Sequence, residues 1–197
     1  MRTKKSAFML VELLVVISII ALLMGILMPA LSAAKRSAYK TACKQNLHGC
    51  AIGFRMYMDD NRNYMPIIFN MPNSTVQDDA NSVSLYAALG KYISGKEALK
   101  CPADRYPEKG TSYWKEEGSS YEYNTHLSNK RIEDDWFAKQ FGTKEVWVLH
   151  DYDGFHGKKT DSGREEGMGR RAGSSYAVGS FMYLYADTLV ADRKREK

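Results

Sequence analysis

The sequence predicts an α+β chain: a long N-terminal helix, apolar in its first half and amphipathic in its second, packed on a small antiparallel β-sheet domain. Three observations predict it. A nearly uncharged stretch runs from Phe8 to Leu31, an apolar stripe at helical spacing continues from Tyr39 to Tyr57, and short Tyr- and Val-rich segments alternate with turn residues over the remainder. The 197 residues are 44% hydrophobic and 26% charged with 5 Pro, which excludes a disordered or collagen-like chain and leaves room for one domain with an appendage.

The first element reads FMLVELLVVISIIALLMGILMPAL, with Glu12 as its single charge. A helix rises about 1.5 Å per residue, so about 20 such residues cross the ~30 Å hydrocarbon layer of a bilayer, and membrane insertion is the expected state. A soluble domain of this size seldom encloses a helix that is apolar on every side. The rival is a secretory signal cut near the small residues of ALSAA, Ala30 to Ala34. Against it, the apolar run exceeds the usual core of about 7 to 15 residues and carries a carboxylate near its start. Basic residues flank both ends, Arg2, Lys4 and Lys5 on one side and Lys35, Arg36, Lys40 and Lys44 on the other, so charge does not set the orientation.

Glu12 requires a physical reason. A carboxylate inside a bilayer costs up to about 2.5 to 3.5 kcal/mol on insertion scales, and Val or Leu would serve a plain anchor better. The segment contains no Lys, Arg or His. Either a cation from outside it neutralises Glu12, or the side chain lies near enough to the interface to reach water or take up a proton. Pro29 removes a helical hydrogen bond to the carbonyl of Gly25, which predicts a kink or a locally meltable turn.

Tyr39, Cys43, Leu47, Cys50, Phe54 and Tyr57 form the stripe, with Lys40, Lys44, His48 and Arg55 interleaved, so this half of the helix should lie on a globular domain. Asp59, Asp60, Asn61 and Asn63, followed by Pro66, end it. The same residues faintly imitate a calcium loop, but Tyr64 stands where Gly is needed and Asn70 where Glu is needed, which excludes that site. Beyond Pro66, Ser82 to Leu99 suggests a short helix. Ser120 to Asn124, Val146 to Leu149, Ser175 to Ala186 and Leu189 to Val190 have strand character, and Pro102 to Ser119 and Phe155 to Ser174 read as surface loops.

The net charge of +5 includes Arg2, Lys4 and Lys5, without which the chain is nearly balanced, so no nucleic-acid partner is expected. Tyr106, Tyr113, Trp114 and Tyr121 lie among basic residues, a pattern that suits single strands or glycans and equally suits core and loop packing. Three cysteines permit one bridge. Cys43 and Cys50 on one helix are about 10 Å apart along the axis, too far to pair, and either reaches Cys101; buried free thiols are the alternative.

KKSAFMLVELLVVISIIALLMGILMPAL resembles the class III signal of type IV pilins and type II secretion pseudopilins: a short basic leader, a small residue, Phe, and Glu at the fifth position after the cut. The resemblance implies a leader of residues 1–7, a transmembrane and assembly helix at 8–31, and a soluble pilin-like domain at 32–197 that includes the second half of the helix. It implies cleavage between Ala7 and Phe8 by a prepilin peptidase and methylation of the new Phe8 amine, with Ala7 standing where the family usually has Gly. It further implies that Glu12 pairs with the N-terminal amine of a neighbouring subunit, and that Pro29 holds a position where many pilins have Pro. ACKQNL, LKCPADR, SSYEYN and YLYADTLV are similar, in order, to segments of pseudopilin-like proteins that read Cys-x-x-Asn-Leu, Cys-Pro-x-Asp, Ser-Tyr-x-x-Asn and Asp-Gly-His-Val. The last departs, with Thr188 and Leu189 in place of Gly and His. On this resemblance a Cys43–Cys101 bridge is favoured.

The function so implied is that of a structural subunit of a secretion pseudopilus or pilus-like filament, anchored by a single pass in a bacterial inner membrane with its soluble domain periplasmic or extracellular. Its partners would be the prepilin peptidase, other copies or sister subunits, and the assembly machinery. The alternative is a membrane-tethered or secreted binding protein, for a glycan or another surface ligand, that uses the segment only for export. Neither a cofactor nor enzymatic activity is expected. His150, Asp151 and His156, in LHDYDGFH with Asp153, are the best metal or acid–base candidates, but a strand sends His150 and Asp151 to opposite faces and the spacing fits no zinc pattern, so no metal site is expected.

Overall fold

The computed structural model describes residues 10–68, 83–105, 110–152, 155–156 and 181–191. It is α+β, with one long helix and a four-stranded antiparallel sheet. Helix α1 spans Leu10–Asp60 and is helical through Pro29. By internal contacts the chain divides into two units, Met1–Ala38 and Tyr39–Lys197. In the first, every large apolar side chain from Leu10 to Leu31 is exposed, Ile20 least at 44%. This described helix is long and apolar enough to cross a membrane.

The second unit has its own core. Cys43, Leu47, Cys50, Phe54 and Met58 of α1 are buried, and Tyr39 and Tyr57 pack half-buried against them, which is the stripe read from the sequence. The helix stops where Arg62 and Asn63 turn to positive φ, and the Asn61 side-chain amide donates to the Tyr57 carbonyl at 2.8 Å. Polar side chains thus satisfy groups that the helix end leaves open.

Strands β1 (Tyr121–Tyr123), β2 (Trp147–Asp151), β3 (Tyr183–Tyr185) and β4 (Val190–Ala191) form a meander in the order β1-β2-β3-β4. Tyr121 lies opposite Asp151 and Tyr123 opposite Leu149; between β2 and β3 the register shifts at Trp147 to Leu149. Leu149, Leu184 and Val190 join the core shared with α1, whereas Tyr183, Tyr185 and Phe181 form a separate cluster with Trp147. This is the two-residue alternation of a sheet with unlike faces.

Three expectations change. The helix expected over Ser82 to Leu99 is limited, among the described residues, to α2 (Leu85–Leu89), which ends at Gly90, and a 3-10 turn (Lys96–Leu99) entered through Gly95 at φ +118, a conformation open to glycine. The loop expected over Pro102 to Ser119 contains α3 (Tyr113–Glu117), opened by the Ser112 hydroxyl accepting from the Lys115 N–H and closed by left-handed Gly118. The last strands are shorter or shifted by one residue, and residues 175–180 of the expected segment lie outside the described residues, as does most of the expected loop from Phe155 to Ser174. Helix α4 (Trp136–Phe141), capped by Asp135, was not anticipated.

Candidate functional site

Four segments of the second unit bring potential ligand atoms together. Cys43 projects from the buried face of α1. Cys101 follows the Lys96–Leu99 turn and is fixed from two sides: its N–H donates to Ser120 Oγ at 2.9 Å, and the Asn46 side chain donates to the carbonyl of Lys100 at 2.6 Å. Asp151 ends β2, with Oδ2 accepting from the Met182 N–H at 2.8 Å. His156 lies in the turn beyond, where Phe155 is buried beside the Tyr113 ring and its carbonyl accepts from Arg105 at 3.4 Å.

The ligand atoms of Cys43, Cys101, Asp151 and His156 all lie within 4.8 Å of one another. Cys43 Sγ is 3.6 Å from Asp151 Oδ1, Cys101 Sγ is 3.5 Å from His156 Nε2, and that nitrogen is 3.4 Å from Asp151 Oδ2. Tyr121 Oη adds a contact of 3.2 Å to Cys43 Sγ. Both cysteines are buried, and the Asp151 and His156 side chains are 0% and 1% exposed. His156 Nδ1 is buried with no hydrogen-bond partner among the described residues.

Burial sets the protonation here. It pushes the Cys43 thiol up, and hydrogen bonding to Cys101 and the charge of Asp151 push it further. Burial, then the charges of Cys43, Cys101 and Asp151, raise Tyr121 well above its ordinary value. Burial lowers His156 to about 4, aided by the charges of Lys40 and Arg105. At neutral pH the imidazole is therefore neutral, the form that ligates metals.

Among the residues singled out in the sequence, Asp151 and His156 meet here and His150 does not. Its Nδ1 lies 2.6 Å from the Asp151 carbonyl, its Nε2 lies 3.6 Å from Glu122 across the sheet, and its ring packs against Trp147 and Tyr183. Alternation along β2 separates His150 from Asp151 as expected, but α1 and the segment after Lys100 supply the ligands that the local motif lacks. Cys43 and Cys101, the pair favoured for a bridge, come together here as thiols, and their sulfurs face one another as well as Tyr121, Asp151 and His156. Cys50 lies outside the cluster, 3.9 Å from the Ala98 carbonyl.

The motif residues that carry the family resemblance surround this cluster. Asp104 accepts from the N–H groups of Tyr113 and Trp114 and from the Ser120 hydroxyl, while Asn124 donates to the Trp147 carbonyl between β1 and β2. Tyr113 stacks on Tyr152 and Tyr121 is buried, so packing accounts for both; Tyr106 lies outside the described residues. Ala7, Phe8 and Asp153 are also outside them, while Glu12 and Pro29 lie on the exposed part of α1. The chain matches no family model, no curated protein and no solved structure.

Proposed function

We propose that this chain is a pilin-like structural subunit, cut between Ala7 and Phe8, held in a membrane by α1 and assembled through that helix into a pseudopilus or pilus-like filament. The observation that carries the reading is the division of α1. Its apolar side chains from Leu10 to Leu31 are exposed all round with Glu12 among them, while the residues from Tyr39 onward have a core of their own. In lipid such a surface is at ease; out of lipid it is stable only when buried against similar helices, at about 25 cal/mol per Å² removed from water. The prepilin-type spacing places Glu12 where a neighbour's Phe8 amine neutralises it, so docking in the correct axial register favours the pair.

In this reading the sheet domains form the outer surface on the periplasmic or extracellular side, and the role is mechanical and associative. The tethered-binder alternative has less support: the cleft of about 300 Å³ between α2 and α3 is lined by Trp114, Tyr86 and Lys115, but Lys100 and Lys96 lie over the indole ring at 4.6 and 6.0 Å, which leaves a poor stacking platform.

Replacing Glu12 with Val tests assembly. Leader removal should persist, with mass spectrometry finding methyl-Phe8 at the mature N-terminus, while incorporation into filaments is lost. Normal incorporation of the variant, or a mature chain starting near Lys35, overturns the reading.

A further inference from the structure

We propose that Cys43, Cys101, Asp151 and His156 form a closed four-coordinate zinc site that ties the second half of α1 to the sheet domain. A zinc ion bound to sulfur at about 2.3 Å and to nitrogen or oxygen at about 2.0 to 2.2 Å in a tetrahedron holds its ligand atoms about 3.3 to 3.8 Å apart. Cys43 Sγ to Asp151 Oδ1 at 3.6 Å, Cys101 Sγ to His156 Nε2 at 3.5 Å and His156 Nε2 to Asp151 Oδ2 at 3.4 Å fall within that interval. The four ligand atoms all lie within 4.8 Å of one another, so closing on an ion needs a shift of about 1 Å at most. Ordinary contacts also have such lengths; what points to an ion is that two thiols, a carboxylate and an imidazole from four segments converge in one buried place.

The donor set narrows the ion. Two sulfurs and an imidazole select a borderline-soft metal, whereas calcium and magnesium take oxygen ligands. Four protein ligands with side chains fully or almost fully buried leave no position for substrate, which marks a structural centre rather than a catalytic one. Two outer contacts orient ligands, the Met182 N–H on Asp151 Oδ2 and the Tyr121 hydroxyl against Cys43 Sγ, while His156 Nδ1 has no partner among the described residues. Two thiolates and a carboxylate around a dication leave one negative charge, and Lys40 and Arg105 are near enough to act electrostatically on His156 and offset it. Binding releases the two thiol protons to solvent and involves no change of oxidation state.

The test uses the full chain in detergent, prepared with reductant and without chelator, and reads metal content by elemental mass spectrometry. The expected result is about one zinc per chain. Exchange for cobalt should give the sulfur-to-cobalt charge-transfer absorption and the intense visible bands of a tetrahedral thiolate site, a readout that needs no variant. Cys101→Ser should lower the zinc content at least about tenfold, while Cys50→Ser, outside the cluster, keeps it. Three results overturn the proposal: folded wild-type chain that takes up no stoichiometric zinc, a cobalt spectrum without thiolate bands, or a Cys43–Cys101 disulfide in chain alkylated at harvest from cells.

Discussion

Cys50 and Cys43 lie two turns apart on one face of α1, yet their surroundings give them different chemistry. Cys43 meets acid, imidazole and a second thiol, whereas Cys50 meets apolar side chains and a carbonyl, and burial alone pushes its thiol up to about 12. At pH 8 that leaves roughly one molecule in ten thousand as the reactive thiolate. In the folded chain an alkylating reagent should leave Cys50 unmodified while denaturant exposes it to full labelling, as peptide mass spectrometry reads; fast labelling under native conditions would contradict its placement. Asp104 illustrates a carboxylate used for architecture. It accepts from two backbone N–H groups and one hydroxyl, at 3.0, 2.8 and 2.6 Å, which joins the segment after Cys101 to the starts of α3 and β1. Asp104→Ala orphans those donors and should cost about 2 to 4 kcal/mol, seen as a lower Tm, with Asp104→Asn losing less because it keeps an acceptor oxygen.

At the scale of the helix, two glycines separate propensity from packing. A Cβ added at Gly49 meets nothing within 4 Å, whereas one at Gly53 would lie 2.6 Å from Ile93 Cγ2. Gly49→Ala should therefore stabilise the chain by up to about 1 kcal/mol through the helix preference alone. At Gly53 the same gain is set against overpacking of about 1 to 3 kcal/mol, so Gly53→Ala should lower the denaturation midpoint instead. If both variants shift stability in the same direction, the close approach of α1 to Ile93 is wrong. The buried stripe of α1 was legible in the sequence because it is local and periodic, from Cys43 through Leu47 and Cys50 to Phe54. The strands were legible in kind but too long, since Tyr- and Val-rich composition does not show where pairing stops. The cluster was half legible. Asp151 and His156 stand close together in one motif, but Cys43 and Cys101 join them only through tertiary packing, which no local pattern encodes. Proximity of the two thiols, favoured for a bridge on the family resemblance, is equally what a site shared with the carboxylate and imidazole beside them requires.

For the whole molecule, the distribution of burial decides what the first half of α1 contributes to folding. Among the described residues, none before Cys43 belongs to the buried core, and the chain from Tyr39 onward forms a compact unit by its internal contacts. Hydrophobic burial is the dominant favourable term in folding, so a segment that buries nothing in the lone chain adds little to its stability. It does expose sixteen large apolar side chains between Leu10 and Leu31, far more than a water-soluble surface tolerates as a continuous patch. A chain beginning at Tyr39 should therefore stay monomeric in water without detergent and unfold within a few degrees of the full-length chain in micelles, its loss confined to fraying of the new helix end, worth about 1 kcal/mol. Calorimetry and size-exclusion chromatography measure both. Aggregation of the shortened chain, or a fall in Tm of tens of degrees, would show that the first half of α1 supports the fold. The converse supports a division of labour in which one half of the helix folds the domain and the other is kept for membrane and filament.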